Sequence, residues 1–88
     1  MLYPVQDAPD HILETPDGTT YVCQLNPNLA DYNGTPLEEQ KIWRIKQISR
    51  TTDSAGNTHT IIKYPEGDAQ GFCFAISAIS SYTFKYHV

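Results

Sequence analysis

A chain of 88 residues with a formal net charge of −4 and two cysteines has room for one domain with a thin core, and its overall acidity opposes long-range attraction to phosphate. No apolar run approaches the roughly 20 residues of a membrane-spanning helix, and Met1-Leu2-Tyr3-Pro4 lacks the basic start and apolar stretch of a secretory signal, so the chain is expected inside the cell at synthesis. Charge is uneven: residues 1–39 carry seven acids and no Lys or Arg, whereas residues 40–88 carry all six bases and three acids, which suggests an acidic N-terminal segment lying near a mildly basic sheet.

Residues 1–18 read as an extended arm, because Pro4, Pro9 and Pro16 interrupt helix and central strand alike. Leu2, Tyr3, Val5, Ile12 and Leu13 are too apolar for a solvated tail and are expected to dock, on this domain or on another chain. Asp17-Gly18 is a turn signal. The β-branched and aromatic stretch Thr19–Gln24 predicts the first strand of a domain spanning residues 19–88. Turn chemistry at Asn26-Pro27, Asn28 and Asn33-Gly34 predicts a loop from 26 to 35. Thr35-Pro36-Leu37-Glu38 fits a short helical turn over 36–40, with Thr35 as N-cap and Glu38 reaching back.

From Lys41 the pattern changes period. Trp43 and Ile45 alternate with Arg44 and Lys46, which predicts a strand with one apolar and one basic face. A helix is the alternative, since Ile42, Ile45 and Ile48 recur at intervals of three. In the strand reading Ile48 falls out of phase, so a bulge is expected near Gln47. Asp53-Ser54-Ala55-Gly56-Asn57 predicts a hairpin loop, Thr58–Tyr64 its returning strand, and Pro65-Glu66-Gly67-Asp68 a second turn. Residues 71–81 fit a short strand followed by a turn of helix. Tyr82–His87 reads as a last strand with Tyr82, Phe84 and Tyr86 on one face. The sum is a mainly β fold: a small antiparallel barrel or rolled sheet of four to five strands, with Trp43, Ile45, Ile62, Phe84 and Tyr82 in its core.

Little in the chain has the spacing that catalysis requires. His11, His59 and His87 fall in an arm, a hairpin strand and the C-terminus, and none stands near a Ser or Cys in a recognisable arrangement. A pair of Cys73 with His59 across strands is conceivable but lacks a group to orient the imidazole. Glu38 and Glu39 are adjacent and point apart, as charges at a helix start do. No C-x-x-C or H-x-x-x-H spacing implies a metal, and no glycine-rich loop implies a phosphate or other cofactor. Cys23 and Cys73 are expected as free thiols buried in strands. Arg44, Lys46, Arg50, Lys63 and Lys85 on one sheet face would suit a nucleic-acid platform, although net acidity works against it. The aromatics would suit a glycan platform, although so small a core needs them itself.

The order of blocks is informative. Tyr21-Val22-Cys23-Gln24 and Asn26-Pro27 precede Ile42-Trp43-Arg44-Ile45-Lys46-Gln47-Ile48, then a threonine-rich hairpin ending Ile62-Lys63-Tyr64-Pro65-Glu66-Gly67-Asp68, then Ala78-Ile79-Ser80-Ser81-Tyr82-Thr83-Phe84. Over residues 19–86 this resembles a group of short tailed-bacteriophage proteins of unassigned function that carry a W-x-I-K-x-I strand and a T-I-x-Y-x-x-G-D hairpin. Cys23 stands where the group has glycine, and Phe74-Ala75-Ile76-Ser77 lacks the group's tryptophan and acidic–arginine pair. The resemblance implies phage origin and, by analogy, a non-enzymatic structural or adaptor role in the virion: capsid decoration, neck, tail or fibre attachment. It carries over no catalytic residue, metal, cofactor or small-molecule substrate.

The expected partners are therefore other virion proteins and copies of the chain itself, with no membrane. The expected contact residues are Leu2, Tyr3, Val5, Ile12 and Leu13 of the arm and Arg44 and Lys46 of the basic face. The alternatives are a phage-encoded module that binds a host protein or a glycan, and a small nucleic-acid binder.

Overall fold

The computed structural model describes residues 10–87. Five strands follow one another in a meander: β1 (His11–Glu14), β2 (Thr20–Leu25), β3 (Trp43–Thr52), β4 (Thr58–Pro65) and β5 (Phe84–Lys85). Each is antiparallel to the next, in the order β1-β2-β3-β4-β5. Two 3-10 segments, Leu37–Glu39 and Ile76–Ser81, lie in the connections. The mainly β expectation thus holds.

The turns between strands are set by local chemistry. Between β1 and β2, the Asp17 carboxylate accepts hydrogen bonds from the Thr19 amide and the Thr15 hydroxyl, and Gly18 takes a φ of 92°. At the β3–β4 hairpin, Asp53 Oδ1 accepts from the amides of Ala55 and Asn57. After β4 the chain reverses through Glu66 at φ 55°, a conformation that costs a non-glycine residue about 1 kcal/mol. That turn is held by the Glu66 carboxylate, which accepts from the Thr83 amide at 2.9 Å, while the Glu66 amide donates to the Thr83 carbonyl at 2.7 Å.

Period-two alternation gives the sheet two unlike faces. The inner face packs Cys23, Trp43 and Ile45 against Ile42, Phe74 and Ile76, with Tyr21, Leu25, Ala30, Leu37, Ile79, Tyr82 and Phe84 around them. Trp43 is 3% exposed, and its indole N–H donates to the Leu37 carbonyl at 2.8 Å. Its backbone pairs with Phe74 in an isolated bridge, which ties the segment after β4 back onto the sheet. His11 meets the indole edge-on, ring centroids 5.9 Å apart, and Phe74 meets Tyr82 at 5.0 Å. The Tyr82 hydroxyl accepts from the Ala75 amide, so the ring is fixed at both ends.

Several expectations are corrected. Of the two architectures expected, a barrel or a rolled sheet, the barrel does not form: the sheet is open, its outer strands having only four and two residues, too short to be tilted and staggered into closure. Part of the arm, His11–Glu14, is an edge strand in register with β2, Ile12 opposite Val22 and Leu13 opposite Tyr21. No bulge occurs at Gln47: pairing runs unbroken from Leu25↔Trp43 to Thr20↔Ile48, and on the other side from Gln47↔Lys63 to Thr52↔Thr58. Gln47 instead occupies an inner-face position, where its amide donates to the Tyr21 hydroxyl at 3.2 Å. Ile48 is a true outer-face residue. So is its partner Ile62, 39% exposed and outside the core.

The N-cap of the first 3-10 turn is Pro36, with no side-chain cap bond from Thr35. The last strand shrinks to Phe84–Lys85, and Tyr86, 63% exposed, lies under the Lys63 ammonium at 5.2 Å. Both cysteines are free, but only Cys23 is buried; Cys73 is exposed in the connection after β4.

Candidate docking surface

The outer face has no second layer among the described residues. Its cross-strand rows follow from the register. Ile12 stands opposite Val22, and Val22 opposite Lys46; Glu14 stands opposite Thr20, Thr20 opposite Ile48, and Ile48 opposite Ile62. Four apolar side chains from four strands thus share one side of the sheet. Ile12 is 54% exposed, and Val22 and Ile48 are half-buried.

The same face carries charge. By strand alternation Arg44, Lys46, Arg50 and Lys85 point to this side, with Glu14 as the acid among them. Lys46 and Arg50 are exposed and have no hydrogen-bond or ion-pair partner among the described residues. Arg44 is held differently: Nε and Nη2 both donate to Gln24 Oε1, and its guanidinium lies 4.7 Å over the Phe72 ring. A hydrogen-bonded, stacked guanidinium keeps its charge while its geometry is fixed in advance. A shallow concavity of about 330 Å³ opens between Val22, Gln24, Arg44, Lys46 and Tyr64, and a second beside it is lined by Glu14, Thr20, Ile48 and Arg50.

The residues expected to make contacts are therefore split. Ile12, Arg44 and Lys46 come together on the outer face. Leu13, opposite Tyr21, points to the inner side. Leu2, Tyr3 and Val5 lie outside the described residues. Sequence reasoning missed Val22, Ile48 and Ile62 as surface residues, although Ile48 being out of phase with Trp43 and Ile45 was a usable signal. Lys63, grouped with the basic face, sits opposite Gln47 on the inner side instead.

The chemistry elsewhere is that of turns. His59 Nε2 contacts Asp53 at 2.8 Å in the exposed hairpin. The hydrogen bond from His59, and next the Asn57 amide, hold the Asp53 carboxyl below its ordinary range. Cys73 Sγ donates to Asp68 at 3.8 Å. Partial burial, and then the Asp68 charge, push the Cys73 thiol up, the reverse of the shift that makes a thiol nucleophilic. Burial pushes the Cys23 thiol up to about 11.

Among the described residues no group of three or more His, Cys, Asp or Glu is placed to hold a metal ion, and no helix is long and apolar enough to cross a membrane. Compared with protein-family models, with curated proteins and with solved structures, the chain gives no match.

Proposed function

We propose that this chain is a non-enzymatic structural or adaptor protein that works by protein–protein binding through the outer face of its sheet, and that it does so in a tailed-phage particle. The observation that carries the binding role is the one-sided packing of the sheet. One face buries a tryptophan-centred core, while the other gathers Ile12, Val22, Ile48 and Ile62 with Lys46 and Arg50 and carries no second layer among the described residues. A mixed apolar and basic patch on a rigid sheet is a surface suited to a macromolecular partner. The place in a phage particle is supported by the resemblance at Trp43–Ile48 and Ile62–Asp68 described above.

Peptide mass spectrometry of purified particles tests both parts. The wild-type chain is expected in many copies per particle. Ile62→Asp is expected to fold, since the side chain is already partly exposed and surface changes cost about 0.5 kcal/mol or less, yet to be missing from particles. A wild-type chain absent from particles overturns the virion role and favours a host-directed module. An Ile62→Asp variant incorporated like wild type overturns docking by this face.

The four outward bases favour one further reading, a small nucleic-acid binder. Retardation of single- or double-stranded nucleic acid in a low-salt gel shift, lost in Lys46→Glu, would support it; no retardation would dispose of it.

A further inference from the structure

We propose that the outer sheet face receives the acidic loop of a second copy, so that copies stack head to tail. The inference rests on the reading of that face as a docking surface and names its occupant. The loop in question joins β2 to β3. It folds over the inner face, with Ala30 and Leu37 packed against the core and the Leu37 carbonyl bonded to the indole of Trp43. Its far side therefore points away from the sheet, on the opposite side of the molecule from the outer face.

Two large apolar side chains stand exposed on that loop, Leu29 at 55% and Tyr32 at 64%. Asp31, Glu38 and Glu39 are exposed around them, with Lys41 the one base. The loop is held in shape by Gln40, whose carbonyl accepts from the Asp31 amide at 2.7 Å and whose amide group donates to the Asp31 and Thr35 carbonyls.

The two surfaces complement each other in both respects. On the outer face the Ile48–Ile62 row, Ile62 at 39% exposure, lies between Lys46 and Arg50, and Ile12, at 54%, stands across Val22 from Lys46 with Glu14 beside it; Leu29 and Tyr32 on the loop are flanked by acids. Lying on opposite layers, the patches cannot meet within one chain. A symmetric pairing of two outer faces would bring together the four outward bases of each copy with Glu14 as the one strand acid to offset them, which disfavours it. Face to loop is a heterologous contact, and heterologous contacts propagate into rings or filaments.

Sedimentation velocity of the purified chain decides the matter. At low salt, about 20 mM, the wild type is expected to form species larger than dimers, and raising salt to about 500 mM should dissolve them. Lys46→Glu/Arg50→Glu and Glu38→Lys/Glu39→Lys should each lose assembly by about tenfold or more in dissociation constant, with wild-type circular dichroism. Mixing the two variants in equal amounts should restore it, because each then meets an opposite charge. The proposal falls if the wild type stays monomeric at about 100 µM, if it stops at a dimer, or if mixing restores nothing. A monomeric wild type whose Lys46→Glu/Arg50→Glu variant is missing from particles overturns self-stacking and leaves the docking reading standing. If that variant assembles into particles normally, the docking reading fails instead.

Discussion

Trp43 is bound to the fold in three ways: by burial, by its indole hydrogen bond to Leu37, and by its backbone bridge to Phe74. Removing the ring should be costly in proportion to the cavity it leaves. Trp43→Ala is expected to destabilise by about 3–5 kcal/mol, enough to unfold a domain this small, whereas Trp43→Phe should keep most of the packing and lose about 1 kcal/mol with the hydrogen bond. Urea denaturation of the two variants checks this; equal midpoints would show that the indole is not the anchor. Burial of Trp43 and Ile45 was legible in the sequence because their alternation with Arg44 and Lys46 has the period of a strand. Gln47 was not. A glutamine at an inward position is readable only once Tyr21 is known to stand opposite it with a free hydroxyl, and that pairing spans 26 residues. Ile62 reads as a core residue from its hydrophobicity, which does not distinguish the two sides of a strand.

Elements differed in how much of their identity was local. The β3–β4 hairpin was readable, since Asp53 and Asn57 supply their own turn bonds. Edge strand β1 was not, because four residues within a proline-punctuated stretch carry too short a pattern, and their strand state comes from pairing with β2.

In three of the turns an aspartate that accepts nearby hydrogen bonds has its carboxyl held below the ordinary range. The Thr15 hydroxyl and the Thr19 amide lower Asp17, His59 and the Asn57 amide lower Asp53, and the amides of Gly71 and Gln70 lower Asp68. A carboxyl whose pKa is lower folded than unfolded contributes stability that is fully present above the unfolded value and is lost as pH falls through the folded one. Thermal melts should therefore fall as pH drops below about pH 4. Asp68→Asn should reduce that acid dependence, and a variant with an unchanged acid limb would exclude Asp68 from it.

At the scale of the whole molecule, the core is concentrated at one end of the sheet. Residues Arg50 to Thr60 are all exposed, whereas Cys23 and Ile45 are fully buried. Native-state hydrogen exchange should reflect this, with amides of Cys23 and Ile45 protected at least about 100-fold more than those of residues 50–60. Uniform protection would mean that a partner or second copy covers the hairpin. The candidate surface was half legible. Arg44 and Lys46 share a strand, so their common face is a matter of period. Their meeting with Ile12 and Ile62 depends on the registers of four strands, which no stretch of sequence states.

The hairpin tip has a practical corollary. Gly56 sits at φ 87° with nothing within 4 Å of where a side chain would begin, and the loop around it contributes to neither layer. Lengthening a loop there costs only about 0.6 kcal/mol per doubling. An epitope or fluorophore grafted between Ala55 and Asn57 would ride outside both surfaces, reporting where the protein goes without obstructing what it holds.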